Sequence, residues 1–171
     1  MDALSFLINE KRKGYLCFET LRELYESNEE FKNIIDEGIQ TGEIIGFPEE
    51  LWIKIDEQNI RGLDTFERVF MEGYNIGGCT IVSKQLSYSF TNCYLCSGLL
   101  PLIKGTKNSP NGEHSWMMSD NQVYDTTLMI IMSQRIANKL GYQTEAKYNP
   151  RESDVYNAAY EFTNDRNIKG R

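Results

Sequence analysis

Histidine is almost missing from this chain: His114 is the one imidazole among 171 residues. Any imidazole chemistry must therefore run through that side chain. Proline is scarce as well, with four in all. No repeat, low-complexity tract or Pro/Gly-rich linker divides the chain, so one domain over 1–171, long enough for a sizeable core, is the simplest expectation. No apolar run reaches the ~18 residues that a membrane-spanning helix needs. The start, Met1 to Glu10, lacks the basic residues and cleavage site of a signal peptide. These absences predict a cytoplasmic protein with no membrane partner. Positive charge is the minority sign: 18 Lys and Arg face 25 Asp and Glu, a net charge of −7. Such a field argues against a general nucleic-acid or anionic-membrane binder. The four cysteines, Cys17, Cys79, Cys93 and Cys96, are too few and too irregularly spaced for a disulfide scaffold. Most free cysteines are small buried hydrophobes, and Cys17 is expected to be one.

What is present is a change of pattern along the chain. The first 75 residues read as helical. Phe18, Leu21, Leu24 and Tyr25 have helical spacing, and Phe31, Ile34, Ile35 and Ile39 form the next stripe after a Ser27-Asn28-Glu29-Glu30 start signal. Pro48 to Trp52 begins a further helix, and Leu63 to Tyr74 a fourth with Phe66, Val69 and Phe70 inward. After Gly73, Gly77 and Gly78, a helix from Cys79 to about Phe90 is expected. Then the character changes. Cys93 to Ile103 reads as strand, Gly105 to Gly112 as a polar loop, and His114–Met118 with Gln122–Asp125 as a hairpin across Ser119-Asp120-Asn121. Met129 to Leu140 reads as a helix stopped by Gly141, Tyr142 to Tyr148 as strand, and Ser153 to Thr163 as a C-terminal helix before the tail. Helices followed by a helix feeding an antiparallel sheet make an α+β layout: a helical part over 1–75, an α+β core over 76–150 and a terminal helix and tail over 151–171.

Three residues in that layout suit one chemistry. Cys79 follows two glycines at a helix start, His114 opens one strand of the hairpin, and Asp125 closes the other eleven positions later. A thiol is a useful nucleophile as thiolate, which a helix N-terminus and a nearby imidazolium both favour. Gly77 and Gly78 permit a sharp turn and the close approach of a carbonyl. The Cys79 N–H is then placed to donate to an oxyanion. An aspartate on the second ring nitrogen of His114 would fix its tautomer.

Gly78-Cys79, followed by His114-Ser115-Trp116 and Val123-Tyr124-Asp125-Thr126-Thr127, resembles the transglutaminase-like branch of the papain-like thiol enzymes. The resemblance covers about Gly73 to Thr127. It implies a nucleophile-bearing helix packed on an antiparallel sheet, with Cys79 as nucleophile, His114 as general base and acid, and Asp125 as orienter. It also places Trp116 near the triad, and Gly78 and Trp116 are the residues expected at the substrate-binding and oxyanion site. Thr126 stands where many members have proline. No second oxyanion donor is singled out among the candidates Tyr74, Asn75 and Gln85.

The expected function is a thiol hydrolase or acyltransferase acting on amide bonds of a protein or peptide, with no cofactor. Water as acceptor gives proteolysis or deamidation, and an amine gives crosslinking. The competing expectation is a catalytically inactive binding module of the same fold that regulates a partner through its helical first half, of phage or mobile-element origin. A third grouping, Cys93 and Cys96 with Cys79 and His114 as a Cys3His zinc set, is disfavoured. Positions three apart on a regular strand face opposite ways, so the two are expected to be core cysteines and no metal is expected. Trp116 and Tyr124 are also read as hairpin core, and Glu113 as an exposed strand residue.

Overall fold

The computed structural model describes residues 2–13, 16–53, 79, 83, 86–87, 89–105 and 109–150. Three helices come first: α1 (Ala3–Leu7), α2 (Leu16–Ser27) and α3 (Glu29–Thr41). Asn28 separates α2 from α3, and its side-chain oxygen accepts from the Phe31 N–H, which caps α3 and fixes where it begins. Phe31 and Ile35, one helical turn apart, are buried on the inner face of α3.

A six-stranded sheet follows, antiparallel at every pairing, in the order β1-β5-β4-β3-β2-β6. Its strands are β1 (Ile44–Gly46), β2 (Tyr94–Leu99), β3 (Glu113–Ser119), β4 (Gln122–Asp125), β5 (Ile130–Ser133) and β6 (Gln143–Tyr148), with helix α4 (Gln134–Leu140) between the last two. The protein is α+β. No helix among the described residues is long and apolar enough to cross a membrane.

Two expectations are corrected. The first 75 residues are not all helical, because Ile44–Gly46 forms an edge strand paired with β5. Gly42, at φ 77°, ends α3 in the left-handed region and turns the chain back. Gly38 then lets Ile44 lie against α3, since a Cβ there would sit 2.4 Å from the Ile44 side chain. Likewise Met129 to Leu140 is not one helix. Ile130, Ile131 and Met132 form a strand between β4 and β1, buried throughout. Ser133 then caps α4, its Oγ accepting from the Ile136 N–H. A short apolar run has no period of its own, so helix and strand share that sequence signal. Here the sheet on both sides decides it.

The hairpin expectation matches closely. β3 and β4 pair Met117 with Tyr124 and Ser119 with Gln122. Asp120 and Asn121 take φ 51° and 61°, the left-handed pair that a tight two-residue turn requires and that these two residue types tolerate best. The expected helices at Leu63–Tyr74 and Ser153–Thr163 lie outside the described residues. Cys79, Ser83, Leu86 and Ser87 are all helical and all buried. Their spacing puts them on one helix face, so it is this face that meets the sheet.

Candidate active site

The site is built where β4 ends. Beyond Asp125 the chain leaves the β3 ladder and turns through residues 126–129 into β5. Asp125 holds that turn itself: its Oδ1 accepts from the backbone N–H groups of Thr127 at 2.8 Å and Leu128 at 2.9 Å. A side chain that bonds its own backbone in this way is fixed before any tertiary partner arrives. Oδ2 is left pointing across the hairpin to His114, whose Nε2 lies 2.8 Å away. The register explains the meeting. Continued past Met117–Tyr124, it sets Asp125 level with Trp116, and His114 is the next residue on the same face of β3.

His114 is 2 % exposed and Asp125 fully buried. A charged carboxylate survives such burial only if its acceptor capacity is filled. Here it is: Oδ2 also accepts from the Tyr142 hydroxyl, which makes four donors in all. Burial raises the Asp125 pKa, but the charge and hydrogen bond of His114 and the bond from Tyr142 outweigh it, so the carboxyl stays below its usual range. An ionised carboxylate only accepts, so Nε2 carries the proton.

That assignment leaves Nδ1 as the nitrogen not taken by Asp125, and Cys79 is the other side chain that bonds this imidazole. The Cys79 side chain hydrogen-bonds His114, and the thiol also meets the backbone of Ser115. Burial opposes the thiolate; the His114 hydrogen bond, its charge and the Ser115 backbone more than offset this, so the Cys79 pKa is lowered. Burial likewise opposes charge on His114, but Asp125 and Cys79 lift its pKa to about 10. Opposite shifts in adjacent groups favour a thiolate–imidazolium pair. The other cysteines provide the contrast. Burial pushes the Cys17 thiol far up and Cys96 up to about 12. Among the thiols with a shift, Cys79 alone moves toward ionisation.

The structure thus brings Cys79, His114 and Asp125 together in one buried cluster. Gly78 and the oxyanion candidates Tyr74, Asn75 and Gln85 lie outside the described residues. Trp116 stands beside the cluster and is 1 % exposed, in keeping with its reading as hairpin core. Its ring packs edge-on against Tyr142, with centroids 5.0 Å apart at 88°, and lies 5.9 Å from His114. It walls the imidazole in. Glu113 is buried too, 5 % exposed, where an exposed side chain was expected. Strand alternation turns it to the opposite face from His114. Cys93 precedes β2 and donates weakly to the Ser87 carbonyl, while Cys96 lies within β2 opposite Trp116. Among the described residues, no three His, Cys, Asp or Glu side chains gather to hold a metal.

Sequence reasoning missed Tyr142. It follows the glycine that stops α4, and no local pattern marks its contact with Asp125, seventeen residues away. A second missed link ties the nucleophile's helix to the hairpin: Ser83, one turn beyond Cys79, lies with its hydroxyl 3.4 Å from that of Thr126. No protein-family model, curated protein or solved structure matches this chain.

Proposed function

We propose that this protein is a cysteine hydrolase or acyltransferase that acts on amide bonds of a protein or peptide, with the core arrangement of the transglutaminase-like thiol enzymes. The observation that carries the reading is a buried Asp125–His114 bond of 2.8 Å with the Cys79 thiol hydrogen-bonded to the same imidazole. Cys79 attacks the amide carbonyl carbon, and the carbon–nitrogen bond breaks as His114 passes its proton to the departing amine. A thioester on Cys79 remains. His114, now neutral, accepts a proton from water or a primary amine, which attacks the thioester and releases the thiol. Asp125 keeps Nε2 protonated throughout, so that Nδ1 faces the reacting atoms.

Three parallel assays on peptide libraries test this: chain cleavage, ammonia release, and incorporation of a labelled primary amine. Wild-type protein is expected to turn over in at least one of them and to accumulate an acyl adduct on Cys79 visible by intact mass. The folded Cys79→Ala variant is expected to show neither. Turnover that survives this substitution would remove Cys79 from the reaction. Silence of the wild type in all three would favour the non-catalytic binding module.

A further inference from the structure

We propose that Tyr142 is a positioning residue for the thiol pair: its hydroxyl, donating to the same Asp125 oxygen that receives the His114 Nε2–H, holds the carboxylate that orients the imidazole and so favours the ionised thiol. The proposal rests on the reading of Cys79, His114 and Asp125 given above.

The backbone delivers Tyr142 to this place from two sides. Gly141, at φ 93°, ends α4, and the N–H groups of Gly141 and Tyr142 both return to the Ala137 carbonyl at 3.1 Å. One residue later β6 begins, with Gln143 paired to Leu99 of β2. The residue between a capped helix and a laddered strand has little freedom. Its ring lies edge-on to Trp116 and 6.3 Å from His114. A phenylalanine would make those ring contacts equally well, so packing does not account for the hydroxyl. The hydroxyl bonds Asp125 Oδ2.

Charge explains what that bond does. With Cys79 ionised, the three-residue cluster holds a thiolate, an imidazolium and a carboxylate, a net charge of −1. Every donor aimed at the cluster favours this anionic state over the net-neutral one at lower pH, in which the thiol keeps its proton beside the imidazolium and the carboxylate, the proton being lost to solvent as the pH rises. The backbone of Thr127 and Leu128 supplies two donors on Oδ1. Tyr142 supplies the one that side-chain chemistry can remove without moving the backbone. It stays protonated, because burial and the Asp125 charge both hold its pKa well above the usual phenol range. Among the described residues, the titratable groups acting on this cluster are His114 from β3, Cys79 from the helix, Asp125 from β4 and Tyr142 itself.

A hydroxyl that merely satisfied a buried oxygen would affect stability alone. A positioning hydroxyl also moves the ionisation of Cys79. The test is the thiolate ultraviolet absorbance of Cys79 against pH in the full chain, taken as the difference from Cys79→Ala, for wild type and Tyr142→Phe. The Phe variant is expected to raise the midpoint by about one pH unit, the size of one charge-assisted hydrogen bond. Fluorotyrosine at position 142, a stronger donor of nearly the same shape, is expected to lower it. A destabilised Phe variant with an unmoved midpoint would make Tyr142 purely structural. Should the Phe variant not fold, an unmoved midpoint in the fluorotyrosine protein would overturn the proposal. A wild-type midpoint in the ordinary thiol range, read without any variant, would instead overturn the triad reading and this proposal with it.

Discussion

The exposed ion pairs that tie α3 and the turn after it to α4, and the buried cluster at the end of β4, use the same chemistry under opposite conditions. On the surface, Arg135 reaches Glu37 at 2.8 Å and Glu43 through Nε at 2.9 Å, while Lys139 reaches Glu37 at 2.7 Å. The side chains of Arg135 and Lys139 are 47 % and 44 % exposed, so water and salt compete with every contact. At the end of β4, the His114 and Asp125 side chains are 2 % and 0 % exposed and water is excluded. The surface network latches a helix to its neighbour. The buried one does little for folding that a well-packed apolar set would not do better. It is better explained by its effect on Cys79, because only in a dry, fully satisfied setting do charges this close shift one another strongly.

The largest expected effect comes from breaking the buried side. Cys79→Ala should abolish amide turnover to background with the fold retained, read in the peptide assays beside circular dichroism. Asp125→Asn should keep the shape but disturb the His114 tautomer, lowering turnover by roughly 10³–10⁴-fold, the scale known for triad orienters. A loss of less than tenfold would show that His114 does not need Asp125. Asp125→Ala goes further and leaves several donors without an acceptor; urea denaturation should show a loss of about 2–5 kcal/mol.

A smaller effect is expected from Gly98→Ala, which probes the sheet behind His114. Gly98 pairs with His114 across β2 and β3, and β6 bulges beside it between its Ser97 and Gly98 partners. A Cβ there would lie 1.9 Å from the Gln143 carbonyl oxygen, so the strand must move. A cost on the order of 2–3 kcal/mol, with reduced Cys79 reactivity, is the expected result of a denaturation series and an alkylation rate.

Smallest of all is the exposed side. Arg135→Gln should lower the melting midpoint by no more than a few degrees, with the difference shrinking as salt approaches about 1 M, and should leave Cys79 alkylation unchanged. If that surface variant altered Cys79 as much as Asp125→Asn does, the contrast between the two networks would fail.

How much of this was legible in the sequence varies with the physical origin of each feature. Local devices were readable: the start signal in Ser27-Asn28-Glu29-Glu30, the turn within Ser119-Asp120-Asn121, the Gly141 stop and the alternation that made a hairpin of His114–Asp125. Each is written in residues a few positions apart. β1 and β5 were misread because Ile44-Ile45 and Ile130-Ile131-Met132 are too short to show a period, and their strand character comes from pairing with each other. In the candidate site, the residue types and order of Cys79, His114 and Asp125 were visible, but their meeting was not, since it depends on the packing of a helix on the sheet. The Thr127 and Leu128 bonds to Asp125 had a readable signal in an aspartate at a strand end followed by a turn. Tyr142 had none, because its contact exists only once α4 has folded back over the sheet.

The most direct test of the central claim is site-resolved alkylation of the folded protein by iodoacetamide from about pH 5 to 9, each cysteine quantified by peptide mass spectrometry beside His114→Ala. A thiolate–imidazolium pair predicts fast reaction at Cys79 already near pH 6, lost when the imidazole is removed, while Cys17 and Cys96 stay inert. A Cys79 that titrates as an ordinary thiol near pH ~8.5, or one indifferent to His114→Ala, would contradict it.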